Sequence, residues 1–364
     1  MQETILNILP TVNNQLVWFN LYLTVGFIGV TLGLFAFILL SRLRDGFRFA
    51  HRRRIEKDIQ SFLTSYIFED HTDEEDLTAF SRQYIQNRAH RQIVLENIVS
   101  LHKNLIGESA DKLRHLYQLL GLQQYCKQKL YSGSWHKIAK GISELANMGI
   151  HKYSELIRTF INHPHPTLRS EAQVALLKLK SDAPFSFLDD LKEPLLDWQQ
   201  LQLARAAHKS QLLSIPNFER WLGSEEESIV IFCLRMISSY GQHNAANAIL
   251  ALLQHPSVKV REEAIITLRQ LETFDAVPIL TSMFAKESTN IQLEILKALP
   301  AIGDHQSIPF FEQVMSIENR RLQLAAARAL CQSGQEGKNK VLAIKNDPEH
   351  ALQQLAATAL SYQV

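Results

Sequence analysis

Residues Val260–Leu268 read VREEAIITL. An apolar residue opens the stretch, small residues follow at Ala264 and Thr267, and Leu268 closes it. That spacing puts all of these positions on one face of an α-helix, and its small members let a second helix approach closely. The pattern recurs at Leu168/Ala172/Ala175/Leu176, Ile291/Ile295/Ala298/Leu299, Leu322/Ala326/Ala329/Leu330 and Leu352/Ala356/Ala359/Leu360. Weaker copies start at Gln200 (Ala204, Ala207) and Ile229 (Cys233, Met236, Ile237). The starts, at 168, 200, 229, 260, 291, 322 and 352, lie 29–32 residues apart. A register kept over seven copies predicts an all-α chain in which helical hairpins stack into a solenoid.

A second marker keeps the same period. Ile215-Pro216, Val277-Pro278 and Ile308-Pro309 each precede an apolar helical segment, with the prolines 62 and 31 residues apart. Proline suits the first turn of a helix, where a missing N–H costs nothing. Each unit therefore reads as helix A, a turn and helix B, with turns HPHPT (163–167), HPSVK (255–259) and NDPEH (346–350). Stretches 163–180, 255–271 and 322–334 resemble the HEAT family in its short bacterial form, with Arg169 and Arg261 at the arginine of that family's V-R-x-x-A pattern. The resemblance implies that these arginines bond acidic groups in a neighbouring unit and that helix B lines a concave face. Later copies carry Gln292, Gln323 and Gln353 at the arginine position, which breaks a continuous Arg–Asp ladder.

The solenoid is expected over 151–364. Residues 61–150 are helical in pattern but irregular, with the register extending back to Lys137 (Gly141, Leu145) and Ile106 (Ala110). They read as divergent repeats capping an array whose bare end would expose its stacking face.

From Leu16 to Leu40 there is no charged residue, and 25 residues suffice to cross a bilayer core as a helix. The predicted order is a short extracytoplasmic segment (1–15), a transmembrane helix (16–41) and a basic juxtamembrane segment (42–60). A cleaved signal is disfavoured: no Lys or Arg precedes the run and no A-x-A site follows it. Arg42, Arg44, Arg48, Arg52, Arg53, Arg54 and Lys57 follow the span, giving residues 42–57 a net charge of +5. They predict an N-terminus outside and a body in the cytoplasm, and they offer anionic lipid headgroups a counter-charge. With the bacterial resemblance, the expected site is the inner membrane, crossed once. Gly29 and Gly33 form a small-xxx-small face, a candidate homodimer contact.

The chain has 364 residues and a net charge of +1, which leaves −3 for residues 58–364. A mildly acidic body lacks the basic face that nucleic-acid binding needs, so no nucleic-acid partner is expected. Cys126, Cys233 and Cys331 are far apart and sit in apolar helical patterns, so they read as buried free thiols. His163-Pro-His165 reads as a turn cap rather than a metal pair. The acidic runs Glu69–Asp76 and Glu225–Glu227 read as helix N-termini. No P-loop, GxGxxG, GxSxG or HExxH motif is present. No catalytic residue, cofactor or metal is therefore assigned, and the chain is read as non-enzymatic.

One periodic feature points to a partner. Six residues into helix B the copies carry Arg235, Ile266, Lys297 and Arg328, a basic stripe for an acidic protein surface. The favoured function is a membrane-tethered scaffold or adaptor for membrane-associated protein partners. The resemblance adds the context of an accessory subunit beside glycosyltransferases that make envelope polysaccharide. Two alternatives stand beside it: an enzyme or enzyme accessory related to HEAT-like phycobilin lyases or DNA glycosylases, and a lipid sensor acting through residues 42–57.

Overall fold

The computed structural model describes residues 14–68, 73–179, 182–210, 215–303 and 305–361, and every regular element among them is a helix. The expected N-terminal stretch 1–15 lies almost wholly outside them. The chain forms two compact units, Met1–Gln123 and Gln124–Val364.

In the first unit, α1 (Asn14–Phe68) is one unbroken helix of 55 residues. Its Trp18–Arg42 portion is long and apolar enough to cross a membrane by length and composition, and none of it is buried within the chain. The two hydroxyls in this stretch are satisfied locally: Thr24 donates to the Asn20 carbonyl at 2.7 Å and Thr31 to that of Phe27 at 2.8 Å. Further along, Ile55, Ile59, Leu63 and Ile67 recur every fourth residue and are buried. α2 (Glu74–Phe80) starts where the acidic run predicted, with Glu74, Glu75 and Asp76 in its first turn. Phe80 at its end stacks on Phe62 of α1, with ring centroids 3.9 Å apart. The ridge of α1 packs on α3 (Arg88–His102) and α4 (Glu108–Leu119). Arg52 reinforces this packing by donating to Glu96 of α3 at 2.9 Å.

The second unit begins within α5 (Leu122–Leu130) and continues through α6 (Trp135–Asn147) and α7 (Ser154–Arg158). Then come α8 (Pro166–Leu179), α9 (Asp197–Lys209), α10 (Glu227–Tyr240), α11 (Ala246–Leu252) and α12 (Val258–Gln270). α13 (Val277–Met283), α14 (Thr289–Ile302), α15 (Ile308–Met315), α16 (Arg320–Gln332), α17 (Gly334–Asn346) and α18 (Gln353–Ser361) complete it. The seven sequence copies are α8, α9, α10, α12, α14, α16 and α18. α6 packs on α8 and α8 on α9, while α10, α12, α14, α16 and α18 each pack on the next. The opening residues Leu168, Ile229, Val260, Ile291 and Leu322 are at most 3% exposed, and Ala172, Ala264, Ala326 and Ala356 are fully buried between layers. Each large apolar side chain so buried contributes about 1.5–3 kcal/mol. The tightest approaches need no side chain at all. A Cβ on Gly141 would lie 2.8 Å from Leu130 Cδ1 and 2.9 Å from the Cys126 carbonyl, and one on Gly337 would collide with the Leu330 carbonyl.

The turns before helix B share one device. Arg169 donates to the carbonyls of His163 and Pro164 at 3.0 and 3.1 Å, and Arg261 to those of His255 and Pro256 at 2.8 and 3.1 Å. Arg261 also reaches Glu287 of the next unit at 2.8 Å, whereas Arg169 and Glu193 stand 3.9 Å apart. Where glutamine replaces arginine it does the turn-closing half of the job. Gln292, Gln323 and Gln353 donate to the carbonyls of Phe284, Met315 and Lys345, at 2.9, 3.3 and 3.2 Å. The turn histidines act alike: Nδ1 of His163, His255 and His350 accepts from the backbone N–H two residues on, at 3.0–3.1 Å.

Pro278 and Pro309 lie in the first turns of α13 and α15, as their spacing predicts. Pro216 does not. It precedes a four-residue 3-10 turn, Phe218–Trp221, which stands where a full helix A was expected. The preceding copy has only the 3-10 turn Ser186–Asp190 in the same role. Aromatic side chains fill the space that full helices would occupy: Phe185 meets Phe218 edge-on at 5.0 Å, and Phe218 stacks on Tyr240 at 6.2 Å.

Candidate functional site: a charged cleft on the helix B row

The stacking row changes at α9. This helix packs on α8, α10 packs on α12, and a cleft of about 560 Å³ opens across α9, α10 and α12. Pro194, Leu195 and Leu196 lead into it, and Ile231 and Ile266 give it an apolar floor. Its walls carry Asp197, Glu226, Glu227, Glu262 and Glu263 against Arg235 and Lys259, an excess of three negative charges.

Arg235 ties the walls together. Its Nη1 donates to Gln200 Oε1 of α9 at 2.8 Å and lies 3.8 Å from Asp197. Its Nε and Nη2 reach Glu263 of α12 at 3.0 and 2.9 Å. Gln200 is held in turn by donating to the Leu195 and Ser228 carbonyls, and it is only 4% exposed. Glu226 caps α10, accepting from the Ser228 N–H and hydroxyl at 3.2 and 2.8 Å. Glu227 and Glu262 line the cleft and make no side-chain hydrogen bond or ion pair among the described residues.

Of the four stripe positions, the cleft brings together Arg235 and Ile266; Lys297 and Arg328 lie outside its lining. Lys297 pairs with Glu294 on its own helix at 2.5 Å, and Arg328 is half-buried. The acidic wall is the feature that pattern reading misses, because Glu226 and Glu227 do stand at the N-terminus of α10 and that role alone accounts for them along the chain. The signal was present in Asp197, Glu227, Glu262 and Glu263, which line one cleft only when α9, α10 and α12 are taken together.

Around the other assigned residues, Arg42, Arg44, Arg53, Arg54 and Lys57 are exposed on α1, and the side chain of Arg48 lies outside the described residues. Arg52 is shared between Glu56 and Glu96. Nothing packs within 4 Å of where a Cβ would stand on Gly29 or Gly33. Cys126, Cys233 and Cys331 are buried thiols that form no disulfide among the described residues, and burial pushes the Cys233 thiol far up from its ordinary value. Burial, with help from His165 and Arg169, pushes the His163 imidazole down. Among the described residues no three His, Cys, Asp or Glu side chains cluster as a metal site would require.

No protein-family profile matches the chain, and no curated protein matches it. Solved structures do. A mutant of Kap121p superposes with a TM-score of 0.52 at 12% identity, covering 84% of this chain and 42% of that one. The fold is HEAT-like. Human deoxyhypusine hydroxylase (TM-score 0.29, 15% identity, 85% and 96% covered) and the CpcE–CpcF phycocyanin lyase complex of Nostoc sp. PCC7120 (0.27, 14%, 66% and 88%) are fainter likenesses. The chain thus spans less than half of the Kap121p chain that it matches, and at these identities the likeness speaks for the fold alone.

Proposed function

We propose that the chain is a membrane-tethered scaffold whose helical-repeat unit holds a protein partner at the cytoplasmic face of a bacterial inner membrane. One observation carries this reading: the apolar Trp18–Arg42 segment is wholly unburied within the chain, yet it continues without a break into a helix that packs in the first unit. Exposed apolar surface of that extent needs a non-aqueous surrounding. The basic residues after it fit a cytoplasmic flank, so the span holds one end outside and the body inside. A repeat array offers a long row of helix faces and little pre-formed chemistry, which suits binding better than turnover. Tethering raises its effective concentration beside other membrane proteins. Within that role the chain is a non-enzymatic subunit, and the companion system that the resemblance favours is one making envelope polysaccharide. Lys297 and Arg328 stand on the row as its candidate contacts for an acidic partner surface.

The test is capture from native cells in mild detergent after crosslinking. The full chain should recover a membrane protein in fixed ratio, and a variant lacking residues 1–41 should lose both that protein and membrane sedimentation. A soluble full-length chain would reject the tether; a sedimenting chain without a partner would reject the scaffold. Reversing Lys297 and Arg328 to Glu should weaken capture of a partner that docks through an acidic face.

The exposed Arg42, Arg44, Arg53 and Arg54 favour a second reading, in which residues 42–57 also grip anionic headgroups. Neutralising Arg53 and Arg54 should then lower binding to anionic but not zwitterionic vesicles.

A further inference from the structure

We infer that the α9–α10–α12 cleft is the docking groove for a basic, amphipathic segment of an integral membrane protein, namely the Lys/Arg-rich flank that follows a transmembrane helix on its cytoplasmic side. The inference rests on the membrane-tether reading above and assigns that scaffold's partner a basic segment, separate from any acidic surface meeting Lys297 and Arg328, which lie outside the cleft.

The groove has the two parts such a segment needs. Ile231 and Ile266 form an apolar floor, with Leu196 at the entrance, and the walls carry an excess of three carboxylates. Glu227 and Glu262 are the free ones, standing on α10 and α12 across that floor. Glu263 and Asp197 already face Arg235, so the groove keeps its shape while Glu227 and Glu262 stay available. A segment with apolar residues on one side and cations on the other would place the first on the isoleucines and the second between the glutamates. Just outside the lining, α9 exposes Trp198 at 39% and Leu201 at 52%, one turn apart on the same helix. Exposed tryptophan beside a polar-rimmed groove is the composition of a protein-binding hot spot.

Charge complementarity and location together select the occupant. An acidic groove repels nucleic acid and anionic headgroups alike, and a chain held at the inner face of a membrane meets few basic segments as abundant as the positive flanks of its neighbours' spans. The basic stripe anticipated from sequence contributes differently here: Arg235 acts as the strut of the groove, and Ile266, which interrupts the stripe, supplies its floor.

Two measurements test this. In the first, the full-length protein in phosphatidylcholine nanodiscs is titrated with a labelled peptide of alternating Leu and Lys pairs, LKKLLKKLLKKL, and with its Glu counterpart. The Lys peptide should bind, and its affinity should fall about tenfold or more in Glu227→Lys/Glu262→Lys and again between about 50 and about 300 mM salt. Both glutamates lie on the surface of the groove, and an unchanged melting curve verifies that the variant folds. Equal binding by the variant, or by the Glu peptide, overturns the inference. In the second, a photo-crosslinking residue replaces Ile266 in native cells, and the crosslinked position on the captured protein is mapped. A crosslink inside a Lys/Arg-rich cytoplasmic flank supports the inference. A crosslink elsewhere, or none from Ile266 while the partner is still captured by other means, overturns the groove and leaves the scaffold standing. If chemical crosslinking captures no partner at all, the scaffold itself fails, and the peptide titration alone decides whether the groove is selective for cations.

Discussion

One carboxylate oxygen of Glu263 accepts from Arg235 Nε at 3.0 Å and lies 2.9 Å from its Nη2, and through this contact α10 and α12 share a wall of the cleft. Glu263 is largely shielded, with a side chain 14% exposed, while Arg235 is 45% exposed. A pair so placed is a weak contributor to stability, about 0.5–1 kcal/mol in a double-mutant cycle with Arg235→Ala and Glu263→Ala read by urea unfolding. Its larger effect is on charge. Arg235→Ala removes one of the two cations in the lining, so the Lys peptide should bind a few-fold tighter than to the native chain. Weaker binding would mean that the strut matters more than the field.

A second ion pair should behave in the opposite way. Lys129 and Glu144 meet at 2.5 Å with side chains only 11% and 7% exposed, and the Cys126 thiol donates to the same carboxylate at 3.4 Å. Lys129→Met leaves a buried carboxylate without its main counter-charge, a loss of about 3 kcal/mol by chemical unfolding, and Lys129→Met/Glu144→Leu should recover much of it. A single variant as stable as the native chain would show that Glu144 is held by its other neighbours.

Cys233 gives a pH signature. Burial holds its thiol neutral well above the ordinary value of 9.0, so the folded state keeps a proton that the unfolded state gives up. Its contribution is complete below pH 9.0 and is lost as pH rises beyond it, with a slope of about 1.4 kcal/mol per unit until the folded thiol ionises. Cys233→Ala should flatten that alkaline decline in thermal melts. The native thiol should also resist iodoacetamide at pH 8 until denaturant is added.

His163 sets the acid side. Its imidazole is pushed below the ordinary 6.5, chiefly by burial, and its Nδ1 accepts a backbone N–H that a proton would displace. Stability from this group is complete above pH 6.5 and is lost as pH falls through the lowered value. His163→Asn, which can still accept at the turn, should show a shallower fall in Tm as pH drops below 6.5. An unchanged slope would assign the acid sensitivity to other groups.

The turn-closing amides offer a local test. Gln323→Ala leaves the Met315 carbonyl without its side-chain donor and should cost about 1 kcal/mol by chemical unfolding, whereas Gln323→Arg should be tolerated because arginine does the same work at 261.

Much of the second unit was readable because its rule is local. An apolar residue with small neighbours at fixed offsets forces one face inward, and that rule places α8 and α12 to within a residue or two. The same logic located the unburied apolar portion of α1 and its basic flank. Two things were hidden. The shrunken helices around 186–190 and 218–221 follow from Phe185, Phe218 and Tyr240 filling space in three dimensions, which no spacing along the chain announces, so Pro216 was given a helix that does not form. The cleft escaped for a related reason. Glu227, in the first turn of α10, and Glu262, in the second turn of α12, are ordinary surface residues taken one helix at a time, and only the packing of α10 on α12 brings them to a common space. The glutamines at 292, 323 and 353 looked like a broken ladder, yet they keep the part of the arginine's work that does not need charge.

The unbroken α1 also has a mechanical meaning. From Arg42, where the apolar portion ends, to Ile55, where packing begins, the helix runs about 20 Å, and it turns about 100° for every residue. Any torque or tilt imposed on Trp18–Arg42 is therefore delivered along a stiff shaft to the ridge of Ile55, Ile59, Leu63 and Ile67. Inserting a single alanine into that shaft would swing the ridge about a quarter of a revolution relative to Trp18 and Tyr22. The first unit thus takes its heading from the apolar segment, as a rudder takes its heading from its post.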